Sequence, residues 1–201
     1  MTKKIIAIIG SYRKNGITEQ IADAVLEGAR EKGAQIEKVY LLDKHIEFCT
    51  NCRSCCKENL AAKRAACIIK DDMGELLDKI DAADGVILAS PINFYTITAL
   101  MKRFVERLIV YAYWPWEQAA PKPRVKKSPD KRAIVVTSSA CPAIVGRFLM
   151  PSALTILKVS AETFGAKVVK NIYFGMVNQS EQQKLNQRQI SLAQSAGRTL
   201  A

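Results

Sequence analysis

The sequence predicts an α/β protein with a doubly wound, five-stranded parallel sheet covered by helices on both faces, and three observations carry this. The run KIIAIIG, residues 4–10, is continuously apolar and β-branched, the pattern of a strand buried on both sides. Four more strand-like runs follow, each separated from the last by a stretch of helical periodicity or helical length. Crossovers that long are what joining parallel strands requires.

Each element follows in turn. The first strand stops at Gly10, and Ile17, Ile21, Val25 and Ala29 then repeat every four residues, predicting a helix to about Lys32 that ends near Gly33. QIEKVYLL is the second strand, a Cys-rich insertion occupies about 48–70, and a helix is expected from about Asp72 to Ala83. GVILAS is the third strand and ALMKRFVERLIVY the next helix. An irregular basic loop at about 114–131 leads to the fourth strand, RAIVVTSS. A helix from roughly Phe148 to Phe164, the strand KVVKNIYFGM and a polar helix from about Glu181 close the chain. Five strands is the flavodoxin-like number, with spatial order 2-1-3-4-5, and the ligand crevice of such a sheet lies where the order reverses, past strands one and three. The 201 residues are expected to form one domain.

Composition narrows the function. With 49% hydrophobic and 24% charged residues the chain reads as globular, and its apolar runs are too short for a membrane span, so a soluble, cytoplasmic protein is expected. In that compartment clustered thiols mean metal or redox chemistry more often than disulfides. The net charge of +11 concentrates in KPRVKKSPDKR, a Pro-rich stretch that reads as a solvated loop, and no aromatic-studded sheet or recognition helix accompanies it to favour nucleic acid.

Two loops face the predicted crevice. GSYRKNGIT leaves a buried strand and enters a helix, so its amides and the helix dipole converge on an anion site. Ser11 and Thr18 add hydroxyls, Arg13 a charged fork, and Gly16 room for close approach; the plainer alternative is that Ser11 and Asn15 only cap the helix. In the second loop, SPINFY, Pro91 turns the chain outward, so that Asn93, Phe94 and Tyr95 wall a flat ligand or pack beneath a loop. Neither a dinucleotide fingerprint nor a P-loop is present.

These two stretches resemble the phosphate loop and the ring loop of the NAD(P)H-dependent FMN reductase-like flavoproteins. The resemblance implies a flavodoxin-like fold, non-covalent FMN and a homodimer or homotetramer with the flavin near a subunit interface. It implies that Ser11, Arg13, Gly16, Ile17 and Thr18 hold the phosphate, and that Ser90, Pro91, Ile92, Asn93 and Phe94 line the ring. Asn93 stands where family members often carry an aromatic residue, and Tyr95 where they often carry Gly. The implied reaction passes a hydride from NADH or NADPH to the flavin, which hands electrons to a quinone, a free flavin or another small acceptor. No protein acid or base is obligatory, and His45 reads as a loop residue.

Five of the six cysteines fall between Phe48 and Cys67. Cys49, Cys52 and Cys55 form C-x2-C-x2-C, a spacing that wraps three thiolates around an iron–sulfur cube, with Cys67, or less easily Cys56, as the fourth ligand. Four thiolates suit zinc as well, and a reversible redox pair is the third choice. The run, followed by CIIKDDM, resembles the iron–sulfur flavoprotein branch of the same family. That resemblance implies a [4Fe–4S] cluster beside FMN and electron exchange with ferredoxin-like partners. Cys141 reads as a small buried hydrophobe near the flavin edge, and the aromatic group from Tyr111 to Trp116 as a subunit contact or a fold-back onto its own helix.

Overall fold

The apolar run after Lys3 becomes β1 (Lys4–Ile9), and it lies inside the sheet because both of its faces are covered. Ile5, Ala7 and Ile9 pack into one hydrophobic core, while Ile6 and Ile8 pack into the other. This is the two-residue period of a strand expressed as two separate cores. In the computed structural model, which describes residues 2–57 and 60–201, the chain continues through α1 (Ile17–Arg30), β2 (Gln35–Tyr40), the short α2 (Ser54–Lys57) and α3 (Met73–Ala82). It goes on through β3 (Gly85–Asn93), β4 (Thr96–Ile97), α4 (Ala99–Arg107), β5 (Ala112–Tyr113), β6 (Lys122–Pro123) and β7 (Ser128–Ser138). The last elements are α5 (Ala143–Leu149), α6 (Pro151–Thr163), β8 (Ala166–Phe174) and α7 (Gln187–Gly197).

The strand order is β2-β1-β3-β7-β8, with every neighbouring pair parallel. Counting only the long strands this is 2-1-3-4-5, so the fold is flavodoxin-like as predicted. Helices α1 and α7 cover one face, and α3, α4 and α6 the other. The first pair crosses so closely that Gly28 lies against the Gln194 backbone and Gly197 against that of Val25, leaving no space for a Cβ at either position. Among the described residues no single helix is long and apolar enough to cross a membrane.

Several boundaries differ from the sequence expectation. The helix expected from roughly Phe148 to Phe164 begins at Pro151 as α6, and a helix the sequence did not predict, α5, precedes it across a 73° bend at Met150. Pro151 lacks an amide donor and biases the residue before it away from helical angles, and Met150 accordingly has φ −128° and ψ 50°. The closing helix starts at Gln187 rather than about Glu181, set by a capping box in which Asn186 and Gln189 serve each other's amides. Within the basic loop, Lys122–Pro123 pairs with Ala112–Tyr113, and residues from Ser128 onward already belong to β7. Glu58 and Asn59, inside the Cys-rich insertion, lie outside the described residues.

Candidate functional site

Past the carboxyl ends of β1, β3, β7 and β8 lies a cleft of about 630 Å3. Residues 11–18 form one wall. Helix α1 begins there at Gly16, whose lack of a side chain leaves the helix end without a side-chain cap, so its first amides and positive dipole end are open to an anion. Ser11 is buried and its hydroxyl accepts from the Arg13 amide at 3.2 Å, shaping the turn, whereas the Arg13 side chain is exposed at the cleft. The hydroxyls of Thr18 and Ser138 lie 2.8 Å apart, tying this wall to the end of β7.

The turn itself is held from behind. Asn15 has φ 61°, a left-handed conformation that Asn tolerates better than most residues. Its amide donates to the Glu19 carboxylate, which also accepts from Lys38 at 2.8 Å and from the Tyr40 hydroxyl. Burial alone would raise the Glu19 carboxyl, but the bonds from Lys38, Tyr40 and Asn15 outweigh it and hold the group below its ordinary 4.5.

The second loop contributes Pro91, Ile92 and Asn93 to the cleft. Ser90, expected to line the ring, lies fully buried beneath it: its hydroxyl accepts from the Thr98 amide at 3.2 Å, and Thr98 in turn donates to Gly10 O at 2.7 Å. These bonds fasten the two crevice loops to each other from below. Phe94 also departs from the expectation. It is 95% exposed and stands with Tyr95 at the tip of a tight turn between β3 and β4, outside the cleft lining. Both residues have positive φ, 44° and 70°, a turn that normally takes Asn-Gly, so two aromatics there store strain.

The remaining walls were missed in the sequence. Ser138, Ser139 and Ala140 at the end of β7, and Val177, Asn178 and residues 180–184 after β8, close the cleft, and 181–184 overlap the stretch the sequence assigns to the closing helix. Only the general rule that open α/β sheets bind ligands at the carboxyl ends of their strands would have pointed to them.

The cysteines gather elsewhere. Cys49, Cys52, Cys55, Cys56 and Cys67 all line one small pocket of about 20 Å3, together with Arg53 and Arg107, and it shares no residue with the cleft. Left-handed Asn51 (φ 52°) and Arg53 (φ 59°) curl the C-x2-C-x2-C run around it. The irregular segment braces it: Trp114 donates its amide to Cys56 O at 2.9 Å, Arg124 donates to Cys55 O at 3.1 Å, and the Arg53 guanidinium lies 4.2 Å from the rings of both Trp114 and Trp116. Trp114 and Trp116 thus serve the cysteine loop, and Tyr111 is buried with its hydroxyl on Asp81. Helix α4 joins the two sites, starting at Thr98 beneath the cleft and ending at Arg107 on the cysteine pocket, about 14 Å at 1.5 Å per residue.

The chemistry of this pocket suits an anionic thiolate group. Among the described residues no three His, Cys, Asp or Glu side chains converge on one point as a single tetrahedral ion requires. A cluster whose thiolates bind different iron atoms tolerates a wider spread. The fit is one of donors rather than of a ready-made void. Buried Nε atoms of both Arg53 and Arg107 have no hydrogen-bond partner, and a spare cationic donor is what a cluster sulfur accepts from. The Cys55 thiol is pushed up to about 12 by burial and by its neighbours Cys56, Cys67 and Cys49, so iron would have to drive its deprotonation. Hydrogen bonds from the Ser54 amide and hydroxyl hold exposed Cys52 below its ordinary value. Cys141 lies outside both sites, 3.4 Å from the Ser139 hydroxyl, and His45 is exposed and paired with Glu47.

A flavodoxin-like sheet with a cleft past the carboxyl ends of its strands defines a doubly wound α/β class of protein. Residues 3–180 match the model of the NADPH-dependent FMN reductase family, and the chain belongs to that family. It is 37% identical over 112 residues to an iron-sulfur flavoprotein of Archaeoglobus fulgidus, a match covering 56% of this chain and 48% of that protein. The chain spans about half the length of the curated relatives it matches. Among solved structures, an NAD(P)H:quinone oxidoreductase from Methanothermobacter marburgensis superposes over the whole of both chains with a TM-score of 0.71 at 19% identity. A flavodoxin from an archaeon superposes over 99% of this chain and 96% of its own with a TM-score of 0.55 at 13% identity.

Proposed function

We propose that the chain is an electron-transfer flavoprotein that holds FMN in the cleft and an iron–sulfur cluster on the cysteine pocket. The observation that carries this is the gathering of five cysteines and two unpartnered arginine donors around one pocket. The names of the curated relatives, iron-sulfur flavoproteins, support it over the first reading of the sequence, a reductase of small acceptors fed by NADH or NADPH. Together the two groups would supply two-electron and one-electron transfer.

The chain's own part is positional. Ser11, Arg13, Gly16, Ile17 and Thr18 would bind the FMN phosphate through open amides, hydroxyls and one exposed cation. Pro91, Ile92 and Asn93 would line the ring, with Ser90 as a brace beneath and Phe94 on the rim. Cys49, Cys52, Cys55 and Cys67 would ligate the cluster, with Cys56 buried on the same pocket. A ferredoxin-like protein or a small acceptor would take the electrons, and a homodimer or homotetramer is the proposed assembly.

Purification without oxygen tests this, by visible spectrum and by iron and sulfide content. A flavin spectrum with stoichiometric iron and sulfide is expected. Flavin without iron, bleached rapidly by NADPH, would return the reading to the small-acceptor reductase.

A further inference from the structure

Arg53 sits inside the cysteine run, between Cys52 and Cys55, in surroundings unusual for a cation. Its backbone is left-handed at φ 59°, a conformation arginine adopts only when its surroundings demand it. Its guanidinium lies 4.2 Å from the ring centroids of both Trp114 and Trp116, and Nη2 donates to Trp114 O at 2.7 Å. Among the described residues no carboxylate pairs with it, and its buried Nε has no partner. The other arginine on the pocket differs: Arg107 is buried and held by Asp71 through two bonds of 2.6 and 3.1 Å, so its charge is already matched. Buried donors and cations in native proteins are almost always satisfied. Among the described residues this is a cation with no carboxylate partner and a spare N–H, on the pocket that five thiols line, and it suits an anion assembled from those thiols.

We infer that Arg53 is the residue that sets the reduction potential of the group held by the cysteines, its fixed charge and spare Nε–H favouring the reduced form. This rests on the iron–sulfur reading above. Reduction adds one electron, supplied by reduced FMN, and therefore one negative charge, which a cation at fixed distance stabilises. Both indoles lie against the half-buried guanidinium and displace part of its water, so its charge is less screened than that of an exposed arginine. Trp116 is the exposed half of this clamp at 64%, so its loss would admit water to the charge.

The test compares the wild type with Arg53→Gln, Arg53→Lys and Trp116→Ala, all prepared without oxygen. Iron and sulfide are counted, and the cluster and flavin midpoint potentials are titrated separately by electron paramagnetic resonance and absorbance. In Arg53→Gln, iron content should hold while the ratio of reduced to oxidised cluster at a fixed potential falls at least tenfold, a midpoint about 59 mV more negative for one electron. Arg53→Lys should retain most of the wild-type value, Trp116→Ala should shift the same way by less, and the flavin potential should not move. A fully iron-loaded Arg53→Gln protein with the wild-type cluster potential overturns the inference. If that variant loses its iron, an iron-loaded Trp116→Ala protein with an unchanged potential overturns it instead. A wild type free of iron sinks the iron–sulfur reading itself, a result separate from either.

Discussion

The amide of Asn15 donates to the carboxylate of Glu19 at 2.5 Å, so the tightest bend of the cleft wall is held by a side chain from the helix it feeds. Glu19 also receives Lys38 from β2, which links the bend to the edge of the sheet. In Glu19→Gln the charge is lost and only one acceptor oxygen remains, so either the Asn15 amide or the Lys38 and Tyr40 donors lose their partner. Charge-assisted bonds exceed neutral ones by about 1–2 kcal/mol, so FMN should bind roughly tenfold more weakly, measured by quenching of its fluorescence.

The same carboxylate gives a pH dependence. Its value is lowered in the folded protein, so its contribution to stability is complete well above 4.5 and is lost as the pH falls through the lower folded value. Unfolding by urea followed from pH 7 to pH 3 should show a loss of stability in the acid range that is smaller in Glu19→Gln than in the wild type.

Arg13 is exposed and forms no ion pair among the described residues, so its removal should leave the fold intact. Arg13→Ala should raise the FMN dissociation constant about tenfold, one charge-assisted contact being worth roughly 1.4 kcal/mol, with an unchanged thermal midpoint.

Cys52 is exposed on the pocket and contributes nothing to either core. Cys52→Ala should therefore lower bound iron sharply while FMN stays stoichiometric, read by iron assay and the flavin absorption band.

Where α1 and α7 cross, Gly197 lies against the Val25 carbonyl with no room for a methyl group. Gly197→Ala should force the helices apart and lower stability by about 1–3 kcal/mol in chemical unfolding, without touching the cleft or the cysteines.

The buried pair of Arg107 and Asp71 is a sharper case, their side chains being 2% and 0% exposed. Arg107→Met would strand the Asp71 charge and cost about 3–5 kcal/mol. The double variant Arg107→Met with Asp71→Leu should recover most of that loss, since neither charge is left buried alone. Paired unfolding curves measure both.

The sequence by itself determined the sheet and its order, because burial on both faces writes continuous apolar runs such as residues 5–9, and parallel pairing demands helix-length crossovers. It also located both crevice loops, since a buried strand feeding a helix places its amides at one point. Helix ends set by local chemistry were partly legible: Pro151 and the Asn186 capping box were there to read, yet apolar periodicity ran across the first. Tertiary structure alone decided what required distant segments to meet. Ser90 turned inward because Thr98 needed its hydroxyl, and Phe94 outward because a two-residue turn left it no wall to pack on. The cysteines were visible as a spacing, but the clamp of Trp114 and Trp116 on Arg53 joins residues some sixty positions apart. No local periodicity encodes such a contact; it exists only once α4 and the β5–β6 hairpin have carried the two segments together.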